Sequence, residues 1–192
     1  MKARKVTIDA TVLFADLRGY TAASQSLASS EMTDTLDAFY DECAEAIWEH
    51  DGLLNKTIGD AIMAVFNFPI RQTDHAEQAV RAARQIQHRW RSRHPDLVEG
   101  LALMEGSLCI GIGISSGEVS FGEFGQSHRD LTAIGTVVNM AARAQSAADG
   151  GQILVTKAVR DRCTKDVVQG DGSVHDLKGF GAPIELYDAA GT

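Results

Sequence analysis

The sequence predicts an α/β (α+β) fold: one mainly antiparallel sheet with helices packed on it, on a ferredoxin-like βαββαβ core with additional C-terminal α and β elements. Three observations predict it. First, β-branched apolar runs alternate along the chain with stretches whose apolar residues recur at three and four. Second, the apolar runs "LLNKTI" and "AIMAVFNF" are separated only by Gly59 and Asp60, which is hairpin spacing. Third, the segments fall in the order β-α-β-β-α-β before further α and β pieces.

Each element has a local reason. "VTIDATVLFA", residues 6–15, is β-branched and apolar and reads as a buried strand. "SSEMTDTLDAFYDECAEAIWEHDG" reads as a helix, with Met32, Leu36, Phe39, Cys43, Ala46 and Ile47 on one face, Ser30 as N-cap and Gly52 as stop. The hairpin follows. "TDHAEQAVRAARQIQHRWRSRHP" is a second helix, opened by an Asp74/Glu77 capping box and closed by Pro95. Residues 94–106 read as a polar connection. "SLCIGIGISSGEV" is a third strand ending in a Gly-containing turn. "DLTAIGTVVNMAARAQSAADGG" gives a short strand, a Gly and a helix stopped by Gly150 and Gly151. "QILVT", "KAVRDRC", "VHDLKGF" and "IELYDA" read as strand, short helix, strand and strand.

The 192 residues suit one domain, 1–192, with a core over about 6–188. Apolar residues make up 44% and charged residues 23%, ordinary for a globular protein. No apolar run approaches the roughly 18–20 residues of a membrane span, and no apolar signal core follows the basic N-terminus. Cys43, Cys109 and Cys163 are scattered, which argues against a disulfide framework and a cysteine metal site; a reduced, cytoplasmic domain is expected. The net charge of −8, from 18 Lys+Arg against 26 Asp+Glu, disfavours nucleic acid as a partner. It leaves room for a small anionic ligand at a locally positive site.

Three groups of residues carry possible chemistry. Asp16 ends a buried strand in "VLFADLRGYT", and the backbone N–H groups of Gly19, Tyr20 and Thr21 beyond it suit phosphate oxygens. Asp60 sits in the hairpin turn, and in a ferredoxin-like sheet the first strand lies beside that hairpin. Two converging carboxylates repel, and a divalent cation removes the cost. Asn139 and Arg143, at i and i+4, share a helix face, and Arg keeps its charge for a developing phosphate charge. Each has a plainer reading: a polar strand end, an Asp that favours turns, a solvated helix face.

Five motifs in order, "FADLRGYT", "NKTIGDAIMAVF", "IGIGISSGEV", "TAIGTVVNMAAR" and "LKGFG", make the chain resemble the catalytic domain of class III nucleotidyl cyclases, the adenylate and guanylate cyclases, over about residues 10–187. The resemblance implies two divalent metal ions, Mg²⁺ or Mn²⁺, held by Asp16, Asp60 and the Leu17 carbonyl. It implies that Asn139 orients the ribose, that Arg143 contacts the transferring phosphate and that Lys178 contacts the β- and γ-phosphates. Base selection matches Lys56 and Thr132. Lys has only donors and suits adenine N1, whereas guanine presents an N1–H donor there. ATP is therefore expected over GTP. "TAIG" and "IGIGISSG" resemble the subclass that includes bicarbonate-responsive adenylate cyclases, so bicarbonate is an expected regulator.

The family builds its site between two catalytic domains. This chain carries the complete set, so the resemblance implies a head-to-tail homodimer, with no nucleic-acid partner and no membrane segment in these residues. An upstream sensor domain in a longer protein is expected. The chain departs from the family at Gly111, where many members have Arg, at "GEFG" around Glu123, and at Thr136, where Asp is usual. Two alternatives stand beside this reading. One is a catalytically silent cyclase-like regulatory module, although degenerate copies typically lose a metal Asp or the Arg and this chain keeps both. The other is a guanylate cyclase, or another ferredoxin-like nucleotidyl transferase such as a polymerase palm; Lys56 argues against the first and the acidic composition against the second.

Overall fold

A computed structural model describes residues 5–25, 27–99, 107–125 and 130–191. The elements are β1 (Val6–Arg18), α1 (Tyr20–Ala23), α2 (Ser29–Glu49), β2 (Leu53–Ile58), β3 (Ala61–Phe66), α3 (His75–Arg93), α4 (Pro95–Glu99), β4 (Cys109–Phe124), β5 (Asp130–Ile134), α5 (Thr136–Ala147), β6 (Ile153–Thr156), α6 (Lys157–Arg160), β7 (Gly172–His175) and β8 (Ile184–Asp188). The sheet runs β2-β3-β1-β4-β6-β8-β7, with β5 paired to β4. Its first four strands are the order of a ferredoxin-like core. All pairings are antiparallel except β4 with β6. The α/β fold with a mainly antiparallel sheet is as the sequence predicts.

Alternation along β1 divides the core. Leu13, Ala15 and Leu17 face α2 and α3, packing with Phe39, Cys43, Ile47, Ile86 and Trp90. Ala10 and Val12 face the other side, with Met63, Val65, Phe121 and Ala141 of α5. Each large buried side chain contributes about 1.5–3 kcal/mol through lost water contact. Trp90 also donates its indole N–H to the Leu108 carbonyl (2.7 Å), which leaves no polar atom orphaned there. On the α5 side, Gly113 of β4 lets the helix lie flush: a Cβ there would stand 2.0 Å from Gln145 N and 2.4 Å from the Ala141 carbonyl oxygen.

Several boundaries differ from expectation. Ala28, not Ser30, is the N-cap of α2, and the Glu31 carboxylate accepts from the Ala28 N–H (2.9 Å). The Asp74/Glu77 capping box does not form: Asp74 accepts from the Gln78 amide and Glu77 from Arg81 and Thr164. The 94–106 connection contains α4; residues 100–106 lie outside the described residues. β4 does not turn at Gly117 but continues to Phe124, because it is laddered to β1 and then β5. α5 ends at Ala147, before the two glycines. The "VHDLKGF" strand is shorter: β7 covers Gly172–His175, and 177–180 form a turn closed by Phe180 N–H to the Leu177 carbonyl (3.1 Å).

A polar network crosses the sheet away from Asp16. Thr11 Oγ1 lies 2.7 Å from His75 Nδ1 and 2.8 Å from Ser116 Oγ. Arg162 donates to Ser116 Oγ (2.8 Å) and to Asp9 (2.8 Å), whose carboxylate stands 3.6 Å from His75 Nε2. Burial depresses the His75 imidazole below its ordinary value; the Asp9 charge opposes this and the Arg162 charge adds to it.

Candidate active site

β1 carries Asp16 to the end of the sheet, opposite Ala61 of β3 and Gly111 of β4. The two-residue turn between β2 and β3 sets Asp60 beside it. Leu17 N–H donates to the Asp60 carbonyl (2.9 Å), and the Tyr40 hydroxyl of α2 donates to the Gly59 carbonyl. The turn is therefore pinned from both sides. Burial raises the Asp16 carboxyl above its ordinary value; Arg18, 3.0 Å away, pulls it down and the charge of Asp60 pushes it up. Asp16 is thus ionised only at a cost that an added cation would remove.

Among the described residues no group of three or more His, Cys, Asp or Glu could hold a metal. The donors on offer are two neighbouring carboxylates. That set fits a hard divalent cation whose remaining ligands are phosphate oxygens and water, the usual surroundings of Mg²⁺.

Arg18 extends from β1 over Gly111. Its Nη1 bonds Asp16, and its Nη2 donates to the carbonyls of Gln145 and Ala148 (2.9 Å for Ala148), at the negative end of α5. Beyond Arg18 the chain turns at Gly19, whose φ of 87° is left-handed. Gly19 opens α1, whose first-turn N–H groups, including Tyr20 and Thr21, precede the helix's own hydrogen bonds. These donors lie in the chain immediately after the carboxylate strand end.

α5 rests on the sheet through Ala141, Ala144 and Gln145. Asn139 and Arg143 stand on its exposed side, away from the sheet contact, and the Asn139 N–H donates to the Gly135 carbonyl (3.2 Å) at the start of the helix. Lys178 is exposed in the 177–180 turn. Leu177 and Phe180 pack in one cluster with Met140, Ala144 and Ala147, which holds this turn against α5.

Lys56 and Thr132 come together from different strands. Lys56 forms an ion pair with Asp130, so its partner is not Asp60 four residues on. Thr132 is buried, 7% exposed, and its hydroxyl donates to Asn55 Oδ1 (3.1 Å), while Asn55 Nδ2 donates to the Leu131 carbonyl (2.9 Å). Sequence reasoning missed Arg18, Tyr40, Asn55 and Asp130. Three of these lie next to or two residues from a singled-out position, a usable signal. Tyr40 has none, since it arrives from a helix of its own.

The family model described as "Adenylate and Guanylate cyclase catalytic domain" matches residues 3–182. Adenylate cyclase of Anabaena cylindrica is 34% identical over 152 residues, 78% of this chain. The chain spans only 28–30% of the length of the curated relatives it matches first. Among solved structures, the adenylyl cyclase CyaB from P. aeruginosa superposes with a TM-score of 0.89 at 28% identity, covering 98% of this chain and 97% of that one. The guanylyl cyclase Cya2 superposes at 0.86 and 30% identity, covering 100% and 95%. No described helix is long and apolar enough to cross a membrane.

Proposed function

Because the chain belongs to the adenylate and guanylate cyclase catalytic-domain family, we propose that residues 1–192 form one adenylate cyclase domain. It is a cytoplasmic domain that converts ATP to cyclic AMP and pyrophosphate at sites shared across a head-to-tail homodimer. The observation that carries the reading is the meeting of Asp16 and Asp60 at the end of β1. Asp16, Asp60 and the Leu17 carbonyl are the proposed holders of Mg²⁺ or Mn²⁺, which when bound neutralises phosphate charge and lowers the pKa of the ribose 3′-hydroxyl.

The chain's own residues do the rest. Asn139 fixes the ribose so that the 3′-oxygen faces the α-phosphorus in line with the pyrophosphate leaving group. A bond forms from that oxygen to phosphorus, the bond to pyrophosphate breaks, and the hydroxyl proton passes to solvent. Arg143 supplies fixed positive charge to the transferring group, while Lys178 and the Gly19, Tyr20 and Thr21 N–H groups hold the outer phosphates. Lys56 donates to adenine N1, and Thr132 accepts from the adenine amino group.

Asn139 and Arg143 are exposed on the side of α5 turned away from its contact with the sheet, which supports their serving a second copy's carboxylates. A guanylyl cyclase among the similar structures keeps guanylate cyclase as a second reading. Purified protein incubated with ATP or GTP and Mg²⁺ or Mn²⁺ decides. Cyclic AMP in excess is expected. Cyclic GMP in excess selects the second reading, and no cyclic nucleotide at high protein concentration overturns both.

A further inference from the structure

We infer that Asn55 is a specificity-positioning residue: it fixes the direction of the Thr132 hydroxyl so that the oxygen is presented to the nucleotide base as an acceptor. The inference rests on the base-edge role proposed for Thr132, to which it adds a cause. It begins with an irregularity in β2. Leu54 lies opposite Ala64 and Lys56 opposite Met63, so Asn55 is an extra residue, a β-bulge. Bulges re-aim side chains. Here both Asn55 and Lys56 reach residues of β5, whereas regular alternation would send neighbours to opposite faces.

The hydrogen bonds fix every proton along the chain of contacts. The Leu131 carbonyl can only accept, so the Asn55 group 2.9 Å from it is the NH₂ end. That orientation sets Asn55 Oδ1, an acceptor, 3.1 Å from Thr132 Oγ1. Among the described residues the other group at the hydroxyl is the Ala133 carbonyl oxygen at 3.3 Å, also an acceptor. Thr132 has one proton and faces two acceptors, so its proton points into the protein. What remains for a ligand is a lone pair.

A free threonine hydroxyl rotates and either donates or accepts, and would serve adenine N6–H₂ and guanine O6 alike. Held by Asn55, it suits only the amino group. Guanine then meets an acceptor facing its O6 acceptor. A buried polar mismatch of this kind discriminates strongly because neither oxygen finds a partner. Lys56 alone leaves this second position undecided.

The test is the ratio of kcat/KM for GTP to that for ATP, an internally normalised quantity that partial loss of folded protein does not move. Asn55→Ala and Asn55→Leu, the latter keeping the volume, are expected to raise the ratio about tenfold, the worth of one hydrogen-bond preference. In a Thr132→Val background the same substitutions should leave it unchanged, since the group they act through is gone. If the wild-type chain prefers ATP but neither Asn55 variant moves the ratio, or both move it equally without the Thr132 hydroxyl, the inference is wrong while the cyclase reading stands. If the chain makes no cyclic nucleotide, the cyclase reading fails. The inference is then decided by the relative affinities of 3′-deoxy-ATP and 3′-deoxy-GTP, which lack the attacking hydroxyl: a shift toward the guanine nucleotide in the Asn55 variants supports it. An unchanged ratio, or no binding of either, overturns it.

Discussion

Arg18 and Gly111 are one feature written at two positions. The family expectation of Arg at 111 makes Gly111 look like a lost phosphate contact. A Cβ at 111 would stand 2.8 Å from Arg18 Nε, so the glycine is what gives the Arg18 side chain room to reach Asp16 and the end of α5. His75 is a second residue whose surroundings decide its chemistry. Its Nδ1 lies 2.7 Å from the Thr11 hydroxyl and its Nε2 3.6 Å from the Asp9 carboxylate. Burial lowers its pKa in the fold; the Asp9 and Asp74 charges raise it and Arg162 lowers it further. Below the ordinary imidazole value of 6.5 the unfolded chain therefore binds a proton that the folded chain refuses. Stability contributed by neutral His75 is present above that value and is lost as pH falls through it toward the folded pKa. Denaturant midpoints at pH 7.5 and 5.5 should separate more for the wild type than for His75→Gln. Equal losses in the two proteins would show that other groups carry the acid sensitivity.

At the scale of elements, the contact between α5 and β4 is set by the absence of a side chain. Gly113→Ala puts a methyl within 2.0 Å of Gln145 N and 2.4 Å of the Ala141 carbonyl, backbone atoms that cannot rotate aside. The helix must lift, and overpacking of this kind costs about 1–3 kcal/mol or more. The expected result is a lower thermal midpoint with a greater loss of cyclase activity than of fold, because α5 carries Asn139 and Arg143. A midpoint within experimental error of wild type would mean that α5 does not sit this close. The elements themselves were largely legible, since period-2 and period-3.6 patterns are local. β1, the hairpin, α3 and α5 came out of them as elements, with ends that differ by two or three residues. What failed were features decided at a distance. Gly117 reads as a turn but lies in a strand, because the β1 ladder runs through it, with Ala10 opposite Gly117. Asn55 reads as an ordinary strand position because a bulge is a property of two strands together. Asp16 and Asp60 were legible as a pair only because the β1–β3 adjacency follows from the fold class.

The whole molecule poses the question of where its two halves of a site meet. Asp16 lies in β1 and Asp60 in the adjoining β2–β3 turn, while Asn139 and Arg143 are on the side of α5 away from its packing face. On the proposed function these two groups belong to one site that two copies complete, each lending what the other lacks. A twofold axis then makes two equivalent sites. On this proposal Asp16→Ala and Arg143→Ala are each expected to be nearly inactive alone, because each homodimer has the same defect in both sites. Mixed one to one and allowed to exchange, half the dimers are hybrids. In each hybrid one site collects both substitutions and the other collects neither. About a quarter of wild-type activity per dimer should return, provided subunits exchange freely. Native mass spectrometry of the mixture establishes that hybrids have formed. Hybrids without recovered activity would place all the residues of one site in one chain, whereas recovery near a quarter fits only a site divided between two.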